Sequence, residues 1–152
     1  MDIELKLQAE LEAVESIKQA IRNVGLRATP ARIATLQLLR ESNRPLTHAD
    51  VAQHVAPAGI DKATVFRNLN DMSDAGLVHR TELGDHVWRF EALDPTHASG
   101  GIHPHFLCTQ CGQVTCLSGV KLESCESENG NKIGQVNEIL LRGRCTDCVE
   151  DR

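Results

Sequence analysis

Apolar positions recur at helical spacing from residue 3 to residue 76, and then the period shortens. Ile3, Leu7, Leu11, Val14, Ile17, Ile21 and Val24 follow one another at three and four residues. That spacing predicts an amphipathic helix over 3–24, ended by Gly25. The stripe is expected to pack on its own domain, with an arm touching a partner subunit or DNA as the alternative. A second helix starts at Thr29 as N-cap with Pro30 in the first position, carries Ile33, Leu36 and Leu39, and breaks at Arg44-Pro45. A third opens at Thr47 with Asp50 three residues on, a capping box with the shorter Asp, and turns Val51 and Val55 inward. A fourth runs from Asp61 as N-cap to Gly76 as stop, with Val65, Leu69 and Met72 as its buried stripe. Lys62, Thr64, Arg67, Asn68 and Asp71 then lie off that stripe.

After Gly76 the chain reads as two strands, Leu77–Leu83 and His86–Glu91, joined by a two-residue Gly84-Asp85 loop. Three short helices followed by a β-hairpin is the winged helix-turn-helix pattern, in which the last helix before the wing enters the major groove. Residues 93–102 contain Pro95, Ser99, Gly100 and Gly101 and read as a linker. Beyond them, strand candidates at Val114–Leu117 and Val136–Leu141 flank a polar stretch at 119–134. The fold expected is α+β: a winged-helix domain over 1–92, a hinge over 93–102, and an α/β domain over 103–152.

Charge sharpens this division. The formal net charge is −5, which by itself argues against a DNA binder. Its distribution reverses the argument. Residues 22–67 hold seven Lys/Arg against three Asp/Glu, a local +4, while residues 81–152 hold six against eleven. No apolar run approaches a membrane span, and the charged start Met1-Asp2-Ile3-Glu4 is unlike a signal peptide, so a cytoplasmic protein with no membrane partner is expected. Six cysteines in such a chain argue for metal or redox chemistry before disulfides.

Cys108-Thr-Gln-Cys111 and Cys145-Thr-Asp-Cys148 are two C-x-x-C knuckles, and Gly112 permits the tight turn after the first. Four thiolates from two knuckles make a closed tetrahedral zinc site, structural because no coordination position is left open. A redox motif needs only one pair. Cys116 alternates with Val114 on a strand and reads as packing, and Cys125 lies in the polar stretch; neither is assigned a metal. His103-Pro104-His105 precedes the first knuckle. In extended backbone, which Pro104 favours at His103, residues i and i+2 point the same way, so both imidazoles can reach one ion. Glu91, at the end of the wing strand, could add an oxygen ligand. Two imidazoles and a carboxylate suit Zn²⁺, Fe²⁺ or Mn²⁺. Two surface histidines beside a loop is the competing reading.

Four blocks, Gly25–Arg32, Lys62–Leu69, His103–Gly112 and Cys145–Cys148, together resemble the ferric uptake regulator family in order and spacing. The resemblance covers about residues 20 to 148. It implies a homodimer, with the second half as dimerisation domain, that represses metal-homeostasis genes by binding palindromic operators when a sensory metal is loaded. It implies no enzyme activity and no small-molecule substrate. Arg27, Lys62, Thr64, Phe66, Arg67 and Asn68 form the implied DNA-contacting set, with Phe66 where Tyr is usual. The implied sensory ligands are His79, Glu91, His103 and His105, with His48, His86 and His97 in reserve for the fourth place. A two-residue hairpin loop would pair His79 with Phe90 and put His79 and Glu91 on opposite faces, so a bulge would be needed to bring them together. The family's accessory metal site is expected to be absent, because Ile102, Pro104 and Asn137 stand at its ligand positions and Glu123 alone remains. Two metals per subunit follow. Three alternatives stay open: a peroxide sensor of the same family, a hydrolytic zinc enzyme built on the His/Glu cluster, and a zinc-ribbon module that binds protein.

Overall fold

The computed structural model describes residues 2–93, 103–117, 119–120, 136 and 138–150. Cys125, His97, Ile102, Glu123, Asn137 and most of the expected linker and polar stretch lie outside the described residues. The chain divides into two compact units, Met1–Asp94 and Pro95–Arg152.

The first unit is built on α1 (Asp2–Asn23), α2 (Pro30–Glu41), α3 (His48–Val55) and α4 (Lys62–Asp74). Each of the last three starts where its cap chemistry dictates. Thr29 accepts from Arg32 N–H, Asp61 accepts from Thr64 N–H, and Thr47 and Asp50 complete a reciprocal capping box. The apolar stripes meet in one core of Ile17, Ile21, Leu36, Leu39, Val51, Val55, Val65, Leu69 and Met72. The stripe of α1 is used in part. Ile17 and Ile21 are buried, whereas Ile3, Leu7 and Leu11 are exposed. The expectation of full packing on its own domain therefore holds only for the second half of the helix.

The wing departs from the two-residue hairpin. Strands β2 (Val78–Glu82) and β3 (Trp88–Ala92) pair antiparallel with Glu82 opposite Trp88, so the loop is the five residues 83–87. Glu82 Oε1 shapes it by accepting from the N–H groups of Gly84 (2.8 Å) and His86 (2.6 Å), and His86 adopts a left-handed φ of 59°. The odd loop length shifts the register by one residue. His79 then stands directly opposite Glu91, on one face, with no bulge. A two-residue strand, β1 (Leu46–Thr47), adds to the other side of β3, giving the order β1-β3-β2.

The second unit carries a three-stranded sheet of order β5-β4-β6. Central β4 (His105–Cys108) pairs antiparallel with β5 (Val114–Cys116) and parallel with β6 (Leu140–Gly143), and α5 (Thr146–Glu150) follows. The sheet register is extended at both ends of β4. His105 N–H donates to the Ile139 carbonyl (2.9 Å), and Thr109 N–H donates to the Gly143 carbonyl (2.8 Å).

Candidate metal centres and nucleic-acid interface

Parallel pairing of β4 with β6 brings the two knuckles to the same end of the sheet, since Cys108 pairs with Gly143 and Cys145 follows two residues later. The first knuckle is a tight turn. Gly112 N–H donates to the Cys108 carbonyl, Cys108 N–H donates to the Gln113 carbonyl, and Gly112 takes a φ of 75°. The second knuckle sits on the start of α5. The Sγ atoms of Cys108, Cys111, Cys145 and Cys148 all lie within 4.8 Å of one another, and those of Cys111 and Cys145 are 3.8 Å apart. A tetrahedral ion with Zn–S bonds of about 2.3 Å requires sulfur–sulfur edges of about 3.8 Å. The four residues therefore fit one ion closely.

The electrostatics of the cluster agree. Backbone N–H groups of Cys111 and then Cys145 hold the Cys108 thiol down at about 6, while Cys148 is pushed up to about 12, chiefly by its sulfur neighbour Cys145 and by burial. One thiolate forms readily and then opposes the others, a conflict that a divalent cation removes.

A second group lies at the opposite end of β4. His105 is buried and its ring centroid is 4.8 Å from that of His103. The register sets Cys116 directly across from His105, and one ligand atom from each of His103, His105 and Cys116 lies within 4.8 Å of the others. The sequence reading of Cys116 as plain packing did not foresee this placement. Its alternation with Val114 is real, but the face they share also carries His105. Only the pairing partner, which the sequence did not supply, could reveal that. In the first unit Glu91 is 7% exposed on β3 with His79 across from it. His79 belongs to neither group of three or more ligand atoms within 4.8 Å among the described residues. Of the reserves, His48 donates from Nε2 to the Lys62 carbonyl (2.9 Å) and meets the Phe66 ring edge-on, so it braces the start of α4. His86 is a wing-loop residue.

The face expected to meet DNA is formed by the N-terminal part of α4. An open, mostly apolar cavity of about 480 Å³ is lined by His48, Lys62, Ala63, Phe66 and Arg67. Phe66 is 55% exposed, and Lys62, Arg67 and Arg27 are exposed too. Thr64 is partly buried and its hydroxyl donates to Asp61 Oδ2 (2.7 Å). That bond, with the Thr64 N–H, holds the Asp61 carboxyl below the usual range. Asn68 differs from the sequence reading. It is 6% exposed, because it stands three residues after Val65 and shares the buried face with Leu69 and Met72. Two wing features went unread in the sequence: Arg80 stacks over the exposed Trp88 ring at 5.0 Å, and Arg89 pairs with Asp85 (2.6 Å). Arg32 and Asp71 form an ion pair that ties α2 to α4.

The ferric uptake regulator family model matches residues 23–138. The chain is 34% identical to the ferric uptake regulation protein of Shigella flexneri, covering 87% of this chain and 91% of that one. It is 30% identical to the peroxide-responsive repressor PerR of Staphylococcus saprophyticus, over 95% and 99% of the two chains. Among solved structures it resembles the ferric uptake regulator from Pseudomonas aeruginosa with manganese, at 27% identity, a TM-score of 0.61, and 86% and 98% coverage. The Helicobacter pylori regulator, described as having three functional metal binding sites, shares the fold at a TM-score of 0.67 and 18% identity, over 93% and 94% of the chains. Among the described residues no helix is long and apolar enough to cross a membrane. By its family match and by its coverage of these relatives, the chain belongs to the ferric uptake regulator family, whose members are transcriptional regulators rather than enzymes.

Proposed function

We propose that this chain is a metal-dependent transcriptional repressor that binds palindromic operators as a cytoplasmic homodimer and controls metal-homeostasis genes. The observation that carries this reading is the exposed start of α4, immediately before a β-wing, in a member of this family. Arg67 can reach the O6 and N7 of a guanine, Phe66 offers an apolar contact to a thymine methyl, and Lys62 and Arg27 suit phosphates. Thr64 is committed to the cap and positions the helix. Asn68, being buried, is withdrawn from the contacting set. Phosphate contacts make binding salt-dependent.

Cys108, Cys111, Cys145 and Cys148 are assigned to a structural zinc. When bound, it supplies a closed cross-link with no open position. Glu91, His103 and His105, with His79 as the family's fourth position, are assigned to the sensory ion, a set that suits Fe²⁺, Zn²⁺ or Mn²⁺. Loading of that ion shifts the population toward the DNA-binding form. Similarity to a peroxide-responsive repressor supports a second reading, in which ferrous iron directs oxidation of a ligand histidine. Its mark is one added oxygen atom on His79 or His105 by mass spectrometry after peroxide.

The test is selection from random duplexes under reducing conditions with Fe²⁺, Mn²⁺ or Zn²⁺, followed by gel shift. An inverted repeat should be enriched with metal and released by chelator. Enrichment of no duplex under any of the three ions overturns the proposal.

A further inference from the structure

Resting on that assignment of a sensory ion, we infer that Cys116 is one of its ligands, so that the second unit offers an imidazole–imidazole–thiolate set selective for zinc over manganese and ferrous iron. Three observations converge. The β4–β5 register makes Cys116 the direct cross-strand neighbour of His105, a position with Cβ atoms about 4.5–5.5 Å apart. The pairing is fixed beyond the strand end, because Leu117 N–H donates to the Pro104 carbonyl (2.8 Å). Donor atoms of His103, His105 and Cys116 lie within 4.8 Å of one another.

A tetrahedral ion with Zn–N of about 2.0–2.1 Å and Zn–S of about 2.3 Å needs its donors about 3.4–3.6 Å apart. His105 is 3% exposed and fixed, while His103 and Cys116 are partly exposed and can close that remaining distance by side-chain rotation. The group is distinct from the four-cysteine centre. His105 and Cys108 are the two ends of β4, about 10 Å apart along an extended strand. Hard oxygen ligands favour manganese and ferrous iron, whereas a thiolate beside two imidazoles favours zinc. His79 is then dispensable for holding the sulfur-ligated ion.

Full-length protein with one zinc per chain in the four-cysteine centre, and the second site emptied, is titrated with Co²⁺. The second ion should bring a new sulfur-to-cobalt charge-transfer band. Cys116→Ser should abolish that band, and should weaken zinc binding at this site by more than the about 10–100-fold that loss of an outer-shell partner costs. Its manganese affinity should change little, and His79→Ala should keep the band. X-ray absorption of the wild type loaded with two zincs tests the same point without a variant, and should report five sulfurs shared over two ions rather than four. Cobalt binding with an unchanged band in Cys116→Ser, or four sulfurs over two zincs, overturns the inference and leaves the repressor reading standing. Failure of the wild type to take a second ion overturns both.

Discussion

Residues of the first unit enclose Ile21, Leu36, Val51, Val65, Leu69 and Met72 almost completely, whereas among the described residues of the second unit the buried apolar side chains are Pro104, Cys108 and Val114. Each large apolar side chain fully buried contributes about 1.5–3 kcal/mol, so the first unit has an ordinary hydrophobic basis for folding. The described residues of the second unit do not match it. What its residues supply instead is four converging sulfurs. If the proposed zinc is held there, one unit folds because water is excluded and the other because an ion is gripped, and each should fail under a different insult.

The largest effect expected is on the gripped unit. Removing zinc with a strong chelator, or replacing Cys145 with Ser, should abolish amide-exchange protection in β4 and β6 and leave α4 protected. Apparent zinc-binding free energies of about 10–16 kcal/mol in small zinc domains exceed what so small a sheet can replace. Protection of β4 that survives zinc removal would erase the contrast. Next is the apolar unit. Leu69→Ala should cost about 2–5 kcal/mol in its unfolding transition while zinc content by mass spectrometry stays unchanged. Loss of zinc from that variant would show that the two units are not independent. Arg67→Ala should leave both transitions alone and weaken operator binding by about 1–3 kcal/mol in a gel shift, relaxing selectivity at one base pair. Unchanged affinity would favour the protein-binding alternative.

The smallest effect is electrostatic. Arg89 holds the Asp85 carboxyl down at about 2, against an ordinary value of 3.8. A carboxyl depressed in the fold stabilises it above the unfolded value, and that contribution fades as pH falls from about 4 toward 2. With the Asp85 carboxyl exposed to solvent, it is below about 1 kcal/mol. Trp88, the sole tryptophan, adjoins this pair on β3, so its fluorescence should titrate over that window and Asp85→Asn should remove the step. An unaltered titration in the variant would detach the wing from this ion pair.

Legibility in the sequence followed locality. Helix starts at Thr29, Thr47 and Asp61 were readable because a cap is written within four residues. The two knuckles were readable because their spacing is itself the chemistry. The wing register was not, because Glu82 draws the loop out to five residues through two backbone bonds that composition does not reveal. Two-residue β1 and five-residue α5 are too short to carry a period. Asn68 was legible and misread. Its place three residues after Val65 is a buried position, and polarity masked it. Cys116 was illegible for a deeper reason: its neighbour in space is eleven residues back along the chain, across a strand pair.

The parallel ladder between β4 and β6 also bears on how the molecule matures. Its two members lie more than thirty residues apart, so the ladder cannot form as a local hairpin and must wait for the later strand to return. If the sulfurs at its end hold zinc as proposed, metal supply during synthesis becomes a condition of that return. A cell starved of zinc would then hold chains with a finished first unit and a second that is still open.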